Sequence, residues 1–413
     1  MSIRNGLVIA ATIGILSVGF SSSALAQSAA CSNPKVSKQI AKQMSAAQDA
    51  MKAKKWNESL NKMKEAEAVP GGKSAFDLFT IAQFRAYIYS STRQDADAAR
   101  ELEAQLNSPC MPESKKPDTL KNLVGLYTAL KNYPKAIEYG NRALKASNDP
   151  EIKVAVAQAY YQSGNNKEAV RLMNEVLEAS GKPKENQLLL IQSACNKVGD
   201  NACVTRVFEK LVVNYPKTDY WSNLMIALRH GQNDDVQQLN VFRLSNQVNV
   251  MKSPDEFKEY AQVAIDESLA CEAQSVLEQG FTKKVFVEKR DVDVNTRLLT
   301  TAKAKCVAEK AAVAPAENAA NQQATGDALV KAGAQQLVGG NPAKAAEDIQ
   351  QGITKGSLAK GDKYEAQRND EAYILLGMAH LKNNNKPEAA KAFRLVKRDP
   401  TMARIAKLWL LNT

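Results

Sequence analysis

The chain has 413 residues, enough for two or three compact units, and its 20 glycines and 14 prolines are too few for an all-β chain with frequent turns. Hydrophobic residues make up 44% but aromatic ones only 6%, so the core must be mostly aliphatic and alanine-rich. The formal net charge of +11 favours anionic neighbours, although it is spread along the chain as on a solvated, lysine-rich helical exterior.

Residues 1–26 read as a secretory signal. Arg4 supplies the positive start, residues 7–20 the apolar stretch, and Ala24-Leu25-Ala26 a small-x-small cleavage site before Gln27. That stretch is too short to span a bilayer comfortably, and no later segment is as apolar. The expectation is export to the periplasm, cleavage after Ala26 and no transmembrane segment in the mature chain. Six cysteines in an exported chain then suggest disulfides: Cys31, Cys110, Cys195, Cys203, Cys271 and Cys306.

In the mature chain, residues 27–115 form the first helical unit. Segments 36–52, 56–68, 74–90 and 95–106 each repeat apolar or small residues at spacings of three and four. Pro70-Gly71-Gly72 stops the second of them. Cys31 and Cys110 flank this four-helix block, and a bond between them would close it end to end. The chain-entropy model assigns such a loop roughly 4 kcal/mol.

Residues 118–180 contain one helical hairpin written twice. Leu120, Leu123 and Tyr127 precede Ala136 and Ala143; Val156, Ala157 and Tyr160 precede Ala169, Met173 and Val176. The period from Ala136 to Ala169 resembles that of tetratricopeptide (TPR) arrays, in which small residues let paired helices approach closely. A degenerate third copy at 185–216 has Gly199 where the previous one has Gly164. Its Cys195 and Cys203 fall on either side of the short turn, where a staple would fit. Residues 218–250 continue with weaker matches, Trp221 and Phe242 serving as core fillers. The pattern returns at 253–280 with Tyr260, Ala261, Ala264, Ala273, Leu277 and Gly280. Cys271 and Cys306 are the pair left over, although six cysteines allow 15 connectivities and sequence does not choose among them.

Residues 281–310 hold eight basic side chains against four acidic ones. Alanine-rich 311–324 follows as a linker or exposed helix. The array restarts at Thr325, with Ala332-Gly333, a turn at Gly339-Gly340-Asn341, then Ala345, Ile349 and Gly352. Segment 371–397 is the best copy, with Leu376-Gly377, His380 in the aromatic slot, Ala389, Phe393 and Val396. Segment 401–411, with Trp409, should cap the open end. The expected architecture is therefore an all-α, TPR-like helical-hairpin solenoid, as two arrays joined by an alanine-rich linker. Its divisions are a signal peptide (1–26), an N-terminal unit (27–115), a central array (116–282), a basic helix with linker (283–324) and a C-terminal pair with its cap (325–413).

Catalytic chemistry finds little support. Gly72-Lys73-Ser74 resembles the tail of a phosphate loop, but Glu67 stands where the first glycine belongs and a helix precedes it. With only His230 and His380 and no Cys-x-x-Cys pair, zinc has almost no ligands. Asp234-Asp235 and Asp370-Glu371 fall at turns or helix starts, where the helix dipole explains them. No catalytic residue, metal or cofactor is expected. The candidate site is the concave groove, lined in TPR arrays by the first helix of each hairpin: Lys121, Gly125 and Thr128; Glu151, Gln158, Tyr161 and Gln162; Ser193, Asn196 and Lys197. Family members that clamp a terminal carboxylate use a Lys and an Asn one turn apart, and Gly125 and Gln158 depart from that pattern.

The stretch AMKAKKWNESLNKMKEAEAVPGG, Tyr220-Trp221-Ser222-Asn223-Leu224 and the close ARIAKLWLLNT also resemble a group of exported TPR proteins of Gram-negative bacteria. That resemblance implies a periplasmic repeat protein and no activity. The function expected is a non-enzymatic scaffold or adaptor in envelope assembly or secretion that binds another protein or peptide segment in its groove. The alternative is a basic envelope protein that binds an anionic polymer, polysaccharide or lipid head groups, through 281–310. No nucleic-acid partner is expected.

Overall fold

Twenty α-helices, two short 3-10 turns near the C-terminus and after Pro112, and no strand make up the regular structure of the described residues. The computed structural model describes residues 31, 34–71, 73–146, 148–179, 181–231, 234–320 and 325–413. The expected signal at 1–26 lies outside them. The chain divides into two compact units, Met1–Asp200 and Asn201–Thr413.

In the first unit, α1 (Ala41–Lys52) pairs with α2 (Trp56–Ala68), α3 (Ala75–Ser91) with α4 (Asp95–Leu106), α5 (Lys116–Ala129) with α6 (Tyr133–Ala146), and α7 (Pro150–Gln162) with α8 (Asn166–Ala179); α9 (Glu185–Val198) closes the unit. Each hairpin turns through one left-handed residue: Lys54, Arg93, Lys131 and Gly164 in turn. In the first three the amide after it returns to the carbonyl five residues back, from Lys55 to Ala50, Gln94 to Tyr89 and Asn132 to Tyr127, each 2.8 Å. This is a Schellman-type helix end, which satisfies the last carbonyls while reversing the chain. The alanines at the helix contacts, Ala47, Ala66, Ala136, Ala143 and Ala169, are all buried. At Gly140 a Cβ would lie 2.2 Å from Val156 Cγ2, so α6 and α7 touch too closely for any side chain there. Helix α1 begins at Ala41 rather than near Val36, because Asp77 of α3 takes both the amide (2.8 Å) and the hydroxyl (2.5 Å) of Ser37. Asp77 also completes a capping box with Ser74, which makes Ser74 a helix start.

The second unit begins with α10 (Asn201–Asn214). Then follow α11 (Thr218–His230) with α12 (Asp235–Gln247), α13 (Pro254–Asp266) with α14 (Ala270–Thr282), and the long α15 (Lys289–Ala320), which carries 311–320 as helix through Pro315. The last elements are α16 (Asp327–Val338) with α17 (Pro342–Lys355), α18 (Glu365–Lys382) with α19 (Lys386–Arg394), and α20 (Pro400–Trp409). One apolar core runs from Leu239 and Phe242 through Phe257, Leu277 and Phe286 to Ile349 and Leu376. The turns at Ser268, Gly340 and Asn384 repeat the left-handed geometry of the first unit.

Helix α12 departs from a simple array. It packs on α18 and α20 as well as on α11 and α13, so it is buried nearly all round. Trp221 and Phe242 are core residues, as expected. Helix α20 lies against α12 as well as α18 and α19, with Met402, Ile405 and Trp409 buried.

The carboxylates of Asp370-Glu371 need a different account from a helix start. Helix α18 begins five residues earlier, at Glu365, and both side chains are buried. Asp370 accepts the amides of Lys397, Arg398 and Asp399 at 3.1, 2.8 and 2.7 Å. Glu371 meets the guanidinium of Arg243 at 2.6 Å, and Arg243, only 2% exposed, also forms a bidentate pair with Glu272, both contacts 2.9 Å. Asp234, by contrast, is the N-cap of α12, accepting the Gln237 amide. Cys31 is bonded to Cys110, and Cys271 to Cys306; Cys195 and Cys203 are also in disulfide form, and no described cysteine is free.

Candidate functional site

The first helices α5, α7 and α9 pack side by side in the first unit. Each begins at a place its sequence marks. Pro117 lies in the first turn of α5; Asp149 caps α7 through the Glu151 amide (2.8 Å), with Pro150 next; the Lys184 amide is held by Gln187 at the start of α9. Their apolar stripes, Leu120, Leu123 and Tyr127, then Ile152, Val156 and Ala157, then Leu188, Ile191 and Ala194, are buried in the unit. The intervening polar positions remain at the surface.

Cross-helix contacts put those positions on one face. Lys121 of α5 hydrogen-bonds Glu151 of α7 and lies 4.0 Å from Asp149. Tyr161 of α7 shares a 2.7 Å hydrogen bond with Ser193 of α9, and the Lys197 ammonium sits 4.0 Å from the centroid of the Tyr161 ring. The hydrogen bond to Glu151 raises the Lys121 pKa and lowers that of Glu151. Ser193 first, and Lys197 after it, draw the Tyr161 hydroxyl below its ordinary value. Thr128 is turned inward, its hydroxyl donating to the Val124 carbonyl at 2.7 Å. The side-chain amides of Gln158, Gln162 and Asn196 make no hydrogen bond among the described residues, which leaves three donor–acceptor groups facing solvent.

The face therefore has two parts. Lys121 is neutralised by its own carboxylates, so it offers little to a ligand carboxylate. The amides and the Tyr161 ring form the other part, suited to backbone amides and an apolar side chain.

A second polar cluster escaped sequence reasoning. Glu103 on α4 accepts hydrogen bonds from Tyr127 (2.6 Å), Tyr139 (2.7 Å) and Lys135 (2.9 Å), and the two tyrosine rings stack at 5.7 Å. Burial acts to raise the Glu103 pKa, but the three donors outweigh it and hold the carboxyl below its ordinary range. Burial and the Glu103 carboxylate push the Tyr139 hydroxyl up. The group ties α4 to α5 and α6 through one oxygen of that carboxylate, Oε1. Only the spacing of two tyrosines opposite a glutamate hints at it. His380 lies half-buried in its repeat slot, and desolvation lowers its pKa. Among the described residues no group of three or more His, Cys, Asp or Glu side chains is placed to hold a metal, and no helix is long and apolar enough to cross a membrane.

Residues 332–403 match the tetratricopeptide repeat family model. No curated protein matches the chain. A tetratricopeptide repeat protein from Parabacteroides merdae is 14% identical, with 65% of this chain and 100% of that one covered and a TM-score of 0.34. The C-terminal part of a TPR repeat-containing protein from Cytophaga hutchinsonii is 12% identical, with 62% and 94% covered and a TM-score of 0.37. The TPR2AB domain of yeast Sti1, in a complex with pHSP90, is 15% identical, with 72% and 98% covered and a TM-score of 0.25. The fold is all-α and built from TPR-like helical hairpins.

Proposed function

We propose that the chain is an exported, periplasmic, non-enzymatic scaffold that binds an extended segment of another protein on the face of α5, α7 and α9, in envelope assembly or secretion. One observation carries the reading: Lys121–Glu151 and Tyr161–Ser193 join three successive first helices into one polar surface, with three uncommitted amides beside an aromatic ring. Helical-hairpin repeats use such continuous faces to bind other proteins. The disulfides support an oxidising compartment.

The test is affinity capture from envelope extract with the mature chain and with Tyr161→Ala and Gln158→Ala/Asn196→Ala variants. The expected result is a partner held by the parent chain and lost from both variants. If both variants retain every partner, the face is not the binding site.

A second reading, binding of an anionic polymer, is favoured by α15, where Lys289, Arg290, Arg297, Lys305 and Lys310 are all exposed. Salt separates the two. Polymer binding collapses between low and moderate ionic strength, whereas groove packing persists.

A further inference from the structure

The second unit carries a trough of about 460 Å³ formed by the end of α13, the start of α14, the middle of α15 and the first turns of α16. Its floor is buried and apolar: Ile265, Ala270 and Ala332. The size lies within the range of small-molecule sites. Two lysines line it, Lys305 from α15 and Lys331 from α16, and neither has an ion-pair partner among the described residues. The carboxylate in the lining, Glu309, is already committed. It accepts the Cys271 amide at 3.0 Å and so fills the anion position at the start of α14. The Cys271–Cys306 bond fixes α15 beside α14 at this point, so the wall that carries both Lys305 and Glu309 is held in place.

We propose that this trough binds a small amphiphile with a carboxylate head between Lys305 and Lys331 and an unbranched alkyl body along the alanines. Charge decides the head. Two cations against one committed carboxylate leave the site net positive. The walls decide the body. Besides the charged groups, the polar lining is Ser268 and Gln335. A peptide laid in the trough would find few partners for its amides and carbonyls, whereas an alkyl chain needs none. The proposal does not depend on the polypeptide-binding reading.

Sodium decanoate is the probe, titrated into the full mature chain by isothermal titration calorimetry. One saturable site is expected, tightening about fourfold for each methylene buried between hexanoate and decanoate. The Lys305→Gln/Lys331→Gln variant should weaken decanoate binding tenfold or more, and decanol should bind the parent chain at least tenfold more weakly than decanoate. Ala308→Trp, an exposed wall position, should block the trough without disturbing the core. Absence of saturable binding, equal binding of decanol and decanoate, or decanoate binding unchanged in both variants would each overturn the proposal.

Discussion

Lys131 holds a φ of 58° at the α5–α6 turn, where the next hairpin has Gly164. A left-handed conformation costs an L-residue about 1–2 kcal/mol, so Lys131→Gly should raise the unfolding free energy by about 1 kcal/mol and move the denaturation midpoint up with it. Urea unfolding followed by circular dichroism reads it. Arg243 shows the opposite sensitivity. Removing its guanidinium leaves Glu272 buried without an ion-pair partner among the described residues and Glu371 with only Arg368 at 3.7 Å, and breaking a buried pair this way costs about 3–5 kcal/mol. Arg243→Met should therefore unfold the second unit at distinctly lower urea, and restoring a cation with Arg243→Lys should recover only part of the loss. Glu103 links a residue to pH. Its folded pKa lies below the ordinary 4.5, so its contribution is complete above that pH and is lost as pH falls through the lower folded value. Glu103→Gln should flatten the acid limb of the stability curve below about pH 4.5, measured by thermal melts across pH. An unchanged acid limb would show that the Tyr127–Tyr139–Lys135 cluster does not favour the ionised form.

At the scale of the helix, close approach is what the hairpins share. A Cβ on Gly377 would come within 2.4 Å of the Phe393 ring, so α18 and α19 meet through a bare backbone. Gly377→Leu should force them apart, at a cost of about 1–3 kcal/mol as overpacking, visible as a lowered melting temperature. The helical hairpins were largely legible in the sequence, because alanine and glycine at the contact positions recur locally at helical spacing. Gly164, Gly199 and Gly340 marked their turns, but Lys54, Arg93, Lys131, Ser268 and Asn384 adopt the same left-handed geometry without announcing it. The start of α1 was misplaced where a distant side chain intervenes, as Asp77 does at Ser37, and Asp370 reads as a helix start only until the 397–399 amides it accepts, 27 to 29 residues on, are seen. The polar face was legible as a set of positions on successive first helices. Which of them pair with one another was not, because Lys121 and Glu151, or Tyr161 and Ser193, are 30 and 32 residues apart. Likewise, nothing near Arg243 in the chain points to Glu371, 128 residues away.

Across the whole molecule, the disulfides add stability that burial alone does not supply. Cys31–Cys110 closes 79 residues and Cys271–Cys306 closes 35, and the chain-entropy account assigns loops of those lengths about 4 kcal/mol each. Mild reduction should lower the melting temperature and split or broaden the transition in a calorimetric scan. An identical scan before and after reduction would exclude that role. Drawing residues into closed loops has a mechanical consequence as well. Pulled from its ends, an oxidised chain cannot pay out the residues inside its covalent loops. At about 3.5 Å per extended residue, the 79-residue loop alone withholds about 28 nm of contour length. Force would reach the four helices between Cys31 and Cys110 only after a reductant had opened the loop.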